Sequence, residues 1–256
     1  MKYLILFLLF FYNAEAGLRF LSPLKSSAFT PRSVAGLRLW LTTSATSSMN
    51  SGSFSDGDPL STWTDQSANA YSITGSGGLR PTIETNELNG KPIIRSAASL
   101  LTGSIGTDMT SFTVFFVTKP TTFRQFDAIV TANNTFATGT ITIELGSVSQ
   151  FDVWDTNVGA RMPTGLGTVS VNNWYIGCVT YTQSTPAGVF YINNTSLGTT
   201  NQASMFLESS IAFFDDNTSG FTAYRGDTAS FVIYDNVLSS QDRTDVFNYL
   251  KTEFAL

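Results

Sequence analysis

The sequence predicts an all-β fold: two antiparallel sheets packed as a sandwich and closed by a short C-terminal helix. Three observations carry this. Apolar and polar residues alternate with period two in one segment after another, the spacing that turns one face of a strand toward a core and the other toward solvent. Strand patterns succeed one another across stretches rich in Ser, Thr, Asn, Gly and Asp, with a helical pattern only at the end. The composition is 42% hydrophobic and only 13% charged, with 21 Phe in 256 residues. A core can form, uncharged polar groups cover its surface, and bulky aromatics suit a pleated sheet.

Each element follows in order. Residues 1–16 read as a signal peptide: Met1 and Lys2 give a weakly positive start, residues 3–12 are an unbroken apolar run, and Ala14-Glu15-Ala16 before Gly17 is a small-x-small cleavage pattern. The run is too short to span a bilayer, which takes about 20 apolar residues. The alternative is an uncleaved apolar tail that docks into an assembly. Residues 17–35, with Pro23, Pro31 and several serines, read as a linker or arm. The domain is expected over residues 36–256. Residues 36–41 alternate Leu37, Leu39 and Leu41 with Arg38 and Trp40, the first strand. A loop reaches to about Leu60, followed by a short apolar element carrying Trp63. Next comes a turn over residues 65–69, in which the Asp65 carboxylate accepts backbone N–H groups.

Residues 111–118 form a strand ending before Pro120. Residues 140–145 and 150–155 are hairpin mates joined by the turn-forming 146–149, and 174–182 pairs with 188–194. Residues 210–214 and 229–235 flank a loop rich in Asp, Asn and Gly. At the end Ser239 caps a helix with Asp242 in its first turn and Val246, Phe247, Leu250 and Phe254 on one face. No internal repeat and no second core-forming pattern interrupts the series, so one domain is expected.

Composition also excludes. A net charge of −5 with no Lys/Arg cluster leaves no footprint for a phosphate backbone, so nucleic acid is not a partner. With no histidine there is no imidazole base, no imidazole metal ligand and no Ser-His-Asp arrangement. Cys178 has no partner for a disulfide and lies in the apolar run WYIGCVTY, where a thiol packs as a small hydrophobe. Glycosylation sequons at Asn133, Asn193, Asn194 and Asn217 fall in expected turns.

Three stretches together resemble the concanavalin A-like lectin/glucanase superfamily in its laminin-G-like form. The first is GLRLWL with STWTDQSANAYSI and RPTIETNELNGKPIIRS, the second NNWYIGCVTYTQSTPAGVFYINNTSLG, the third GDTASFVIYDNVLSSQDRTDVFNYLKTEFAL. The resemblance implies a jelly-roll sandwich in which Trp40, Trp63 and Trp174 pack core or edges. It also implies a carbohydrate-binding or adhesive domain of an exported, extracellular protein whose partner is a glycan or cell-surface polysaccharide. Because the superfamily includes lectins, adhesion domains, capsid decorations and glycosidases, the fold does not name the function. The rival reading is a structural virion component, such as a capsid decoration, fibre or tail-surface subunit, attached through the N-terminal residues and assembled with copies of itself at the virion surface. No cofactor is required, but the resemblance implies calcium at rim loops, for which Asp56 with Asp58 and Asp215 with Asp216 are the candidates.

The hydrolase branch of that superfamily carries Glu-x-Asp-x-x-Glu on one strand, so that alternate carboxylates share a face. The motif is absent here. Glu144 stands alone on its strand, and Asp152 and Asp155, an odd number of residues apart, fall on opposite faces. No catalytic residue is assigned, and a non-enzyme is expected, with glycoside hydrolysis the third reading. For binding, a sugar needs an aromatic face to stack on and side-chain groups to orient hydroxyls. Trp154, flanked by Asp152, Asp155 and Asn157, is the candidate ligand site.

Overall fold

The computed structural model describes residues 29–124, 126–132, 139–146, 150–155, 160–161, 169–184, 187–200, 204–215 and 222–256. Residues 1–16, expected from the sequence to be a signal peptide, lie outside them. The strands in chain order are β1 (Leu37–Thr42), β2 (Asp58–Pro59), β3 (Thr62–Thr64), β4 (Ser72–Thr74), β5 (Thr82–Leu88) and β6 (Lys91–Ala97). They continue as β7 (Leu101–Ser104), β8 (Ser111–Pro120), β9 (Asp127–Ala132), β10 (Ile141–Leu145), β11 (Phe151–Asp155) and β12 (Ala160–Arg161). The last are β13 (Tyr175–Thr182), β14 (Gly188–Ile192), β15 (Thr195–Thr200), β16 (Ser210–Phe213), β17 (Thr222–Ala223) and β18 (Arg225–Tyr234), followed by helix α1 (Ser240–Phe254).

These strands make two sheets. The helix-side sheet runs β15-β14-β13-β8-β18-β6-β5-β2, and the far sheet runs β12-β11-β10-β9-β16-β7-β4-β3. Pairing is antiparallel except where β17 lies parallel to β9. The long β18 serves two neighbours along one edge: Arg225 to Thr228 pair with β6, and Ser230 to Tyr234 pair with β1, with a register shift between Thr228 and Ser230. Residues 210–214 and 229–235, adjacent in sequence, therefore end in different sheets.

Alternation explains both cores. From β8, Phe112, Val114 and Phe116 enter the space between the sheets, where they meet Trp63, Ile73, Ile143, Phe151 and Phe213 of the far sheet. The rings of Phe213 and Phe231 lie 4.5 Å apart, and those of Phe116 and Phe151 5.4 Å apart. The intervening Phe115 and Val117 point the other way, into a second cluster beneath α1 with Trp40, Val232, Val246, Leu250 and Phe254. The helix-side sheet is thus buried on both faces, which is why β8 reads as a nearly continuous apolar run. Gly177 of β13 is register partner to Phe116, and a Cβ there would strike the Phe116 ring.

The helix forms as its sequence dictates. Ser239 Oγ accepts the Asp242 N–H at 3.1 Å, the apolar positions recur every four residues on the buried face, and Ala255 ends it in the left-handed conformation. Ahead of β1, Phe29 packs on Tyr249, the Tyr234 hydroxyl donates to Pro31 O at 3.0 Å, and Arg32 Nε donates to Gln66 O at 2.6 Å.

Candidate functional site

The β10–β11 hairpin sets the candidate site. Ile141, Ile143, Leu145, Phe151 and Val153 enter the core between the sheets, so Thr142, Glu144, Asp152 and Trp154 take the opposite, outer face of the far sheet. The register makes Thr142 the partner of Trp154 and Glu144 the partner of Asp152. Thr131 of β9 extends the row, its Oγ1 lying 2.7 Å from that of Thr142. The ladder to β9 shifts between Ile143 and Glu144, an irregularity of the kind that re-aims side chains beside sites. Glu144 is 0% exposed and Asp152 3%, while Trp154 is half-buried. Gly146 makes room for this: its N–H donates to Gln150 O at 2.7 Å, and a Cβ on it would collide with Asp152 Oδ2.

The outer face therefore presents a partly accessible indole, while Thr131, Thr142, Glu144 and Asp152 beside it are closed off from solvent. A partly exposed indole can stack on a sugar's C–H face. Glu144 is the only acid on its own strand, as the sequence indicates. Its partner is not on its own strand but directly across the hairpin, where facing Cβ atoms sit about 4.5–5.5 Å apart. Folding the sequence about residues 146–150 would have found the pair; counting along one strand does not.

The remaining candidates separate. Asp155 occupies the register position opposite Ile141, one step out of phase with Asp152 and Trp154. Asn157 and Asp216 lie outside the described residues. Asp56 Oδ1 accepts from Thr85 N at 2.7 Å and from Thr85 Oγ1 at 3.0 Å, and these bonds, the backbone one first, hold its carboxyl below the usual range. Asp58 Oδ2 accepts from Ser55 N at 2.6 Å. Asp58 therefore closes its own loop while Asp56 ties that loop to β5, and Asp215 sits half-buried after β16. Among the described residues no three His, Cys, Asp or Glu side chains gather as a metal site would need.

Asp65 does what its turn requires. Oδ1 accepts from Trp40 N at 2.8 Å and Ser67 N at 2.7 Å, while Oδ2 accepts from the Ser67 hydroxyl and from Tyr71 N at 3.3 Å. Trp63 is fully buried, and Trp40 meets Tyr249 edge-on at 5.8 Å. Cys178 lies in the cluster under α1, where burial pushes its thiol far above the ordinary range and leaves it inert.

This architecture is a two-sheet β-sandwich, and solved structures share it. The binding domain of Paraclostridial Mosquitocidal Protein 1 matches with a TM-score of 0.59 and 17% identity, over 86% of this chain and 53% of that one. Trypanosoma rangeli sialidase matches at 0.55 and 12%, over 86% of this chain and 34% of that one. Domain 4 of a GH43 extracellular arabinanase from Geobacillus stearothermophilus, in complex with arabinotriose, matches at 0.50 and 13%, over 82% of this chain and 97% of that one. The chain thus spans about a third of the sialidase and about half of the toxin domain, and at these identities the likeness is one of fold. No protein-family model and no curated protein sequence matches the chain.

The expectation of a non-enzyme is corrected by these likenesses. The fold occurs in a sialidase and in a domain of an arabinanase, so it gives no ground for excluding a glycoside hydrolase. The absence of histidine does not bear on this, because most glycoside hydrolases act through a pair of Asp or Glu carboxyl groups.

Proposed function

We propose that this chain is a carbohydrate-binding β-sandwich of an exported protein, concanavalin A-like in type, whose glycan site is the outer face of the far sheet around Trp154. One observation carries the reading: Trp154 is the partly accessible aromatic of that face, on the same side of its strand as Asp152 and beside Thr142 and Glu144. The arabinanase domain solved with arabinotriose, matched over nearly its whole length, supports it. Exposed aromatic rings bind sugars by stacking on the C–H face of the pyranose or furanose ring. Calorimetric titration with arabinotriose and with sialyllactose tests the proposal. Saturable binding lost in Trp154→Ala is expected, and binding unchanged by that substitution would move the site elsewhere.

A second reading, glycoside hydrolysis, has its own observation in the Glu144–Asp152 pair. Retaining glycosidases place two carboxyl groups about 5–5.5 Å apart, and these two side chains leave neighbouring strands from facing positions on one face. Their burial means that a substrate reaches them only when the face above them opens.

A further inference from the structure

We propose a second saccharide site on the other side of the molecule, a cleft between α1 and the β13–β14 hairpin that takes one neutral sugar ring. It goes beyond the Trp154 site and stands without it. The cleft is about 260 Å³ and is lined by Trp174, Ile176, Asn193, Phe247, Lys251 and Leu256. That is below the roughly 300–1,000 Å³ of sites for drug-sized ligands, so it accommodates a ring and not a chain.

The walls are fixed before any ligand arrives. Lys119 Nζ sits 5.4 Å from the centroid of the Trp174 ring and 2.7 Å from Asp227 Oδ2, so an ion pair anchors the cation that stacks on the indole. Asn193, at the tip of its hairpin with φ 48°, is pinned twice to Ile176. Its N–H donates to Ile176 O at 2.9 Å, and its Oδ1 accepts from Ile176 N at 3.1 Å. Those bonds leave the two Nδ2 hydrogens as donors for a ligand. Lys251 is exposed and makes no ion pair among the described residues. The end of α1 is held by the Leu256 N–H on Lys251 O at 3.0 Å and by Asn89 Nδ2 on Phe254 O.

Such a cleft offers apolar aromatic surface and hydrogen-bond donors, and a purely aliphatic molecule would leave the Asn193 and Lys251 donors unmatched. A sugar ring satisfies both halves, with its C–H face on Trp174 and Phe247 and its hydroxyl oxygens on Asn193 Nδ2 and Lys251 Nζ. Lys251 lies in the last turn of α1, where the helix carbonyl ends offset part of its charge, so its ammonium can serve a neutral ring as a hydrogen-bond donor.

The test is nuclear magnetic resonance on the isotope-labelled full chain, titrated with methyl glycosides of glucose, galactose, mannose and arabinose and with methyl glucuronide. At least one neutral glycoside is expected to shift the Trp174 indole and Asn193 side-chain signals saturably. Asn193→Asp keeps the Oδ1 bond to Ile176 and removes the amide donor; it and Lys251→Met are each expected to weaken binding at least about fivefold. Trp154→Ala, which removes binding at the far sheet, is expected to leave these shifts unchanged, so the two sites fail separately. The proposal is overturned if no neutral glycoside moves both signals, if Asn193→Asp and Lys251→Met both bind as the parent does, or if the glucuronide binds more tightly.

Discussion

Glu144 of β10 and Asp152 of β11 face each other across one rung of the hairpin ladder, both on the outer face of the far sheet and both shielded from solvent. Their neighbours Ile143, Leu145, Phe151 and Val153 are clamped in the core, so the backbone positions from which the two carboxylates project are fixed. On the hydrolytic reading the two supply acid and nucleophile. Release of reducing ends from arabino-oligosaccharides should then fall at least about a hundredfold in both Glu144→Gln and Asp152→Asn. A parent protein that releases none under the same conditions leaves binding as the function of this face.

Trp154 and Trp63 make a matched contrast, since both stand on the far sheet but on opposite faces. Trp154→Ala is expected to weaken glycan binding at least about tenfold while changing the thermal midpoint little, because its ring is partly in solvent. Trp63 is fully enclosed and packs on Phe231 with ring centroids 6.2 Å apart. Its replacement by Ala should cost about 3–5 kcal/mol of stability. Differential scanning calorimetry beside glycan titration reads both, and a large loss of stability in Trp154→Ala would make that residue a packing element.

The contrast also shows what the amino-acid pattern reveals. Strands with one polar face, such as β10 with its Thr142 and Glu144, declare themselves by alternation, and the local hairpins β10–β11 and β13–β14 follow from the turns between them. Strand β9 escapes because Asp127 to Ala132 is buried throughout and reads as a short apolar run without period. Strand β15 escapes because Thr, Ser and Gly carry no apolar signal. The long-range partnerships β8–β18 and β9–β16 depend on which sheet a strand joins, and nothing local states that. Trp154 and Asp152 were legible as an aromatic beside an acid, whereas the Glu144 pairing needed the register of the hairpin.

Asp65 ties three separate pieces of backbone to one carboxylate: Trp40 in β1, Ser67 in its own turn and Tyr71 ahead of β4. Asp65→Ala would leave these buried N–H groups without an acceptor, at a cost of about 3 kcal/mol. For a domain of this size that corresponds to a fall of roughly 6–12 °C in Tm. Asp65→Asn keeps one oxygen for Trp40 and Ser67 and should lose less. Thermal melts of the two variants check the order, and equal losses would mean that charge rather than hydrogen bonding holds the turn.

Alkaline stability should be governed by phenols packed around the helix. Burial first, and the Glu253 carboxylate second, push Tyr249 up from 10.0 to about 12. Burial raises Tyr191 as well and drives Tyr234 higher still. The folded chain therefore keeps protons that the unfolded chain releases near pH 10. Stability from this source is fully present below that pH and is lost as the pH climbs toward about 12. Melting temperature should hold steady up to about pH 10 and then fall. Tyr249→Phe keeps an aromatic ring against Trp40 and Phe29 but has no proton to lose, so its decline should be shallower than the parent's. Phenolate absorbance followed beside the melts checks the cause. If the folded protein ionises these phenols near pH 10 without losing structure, their burial is not what sets the alkaline limit.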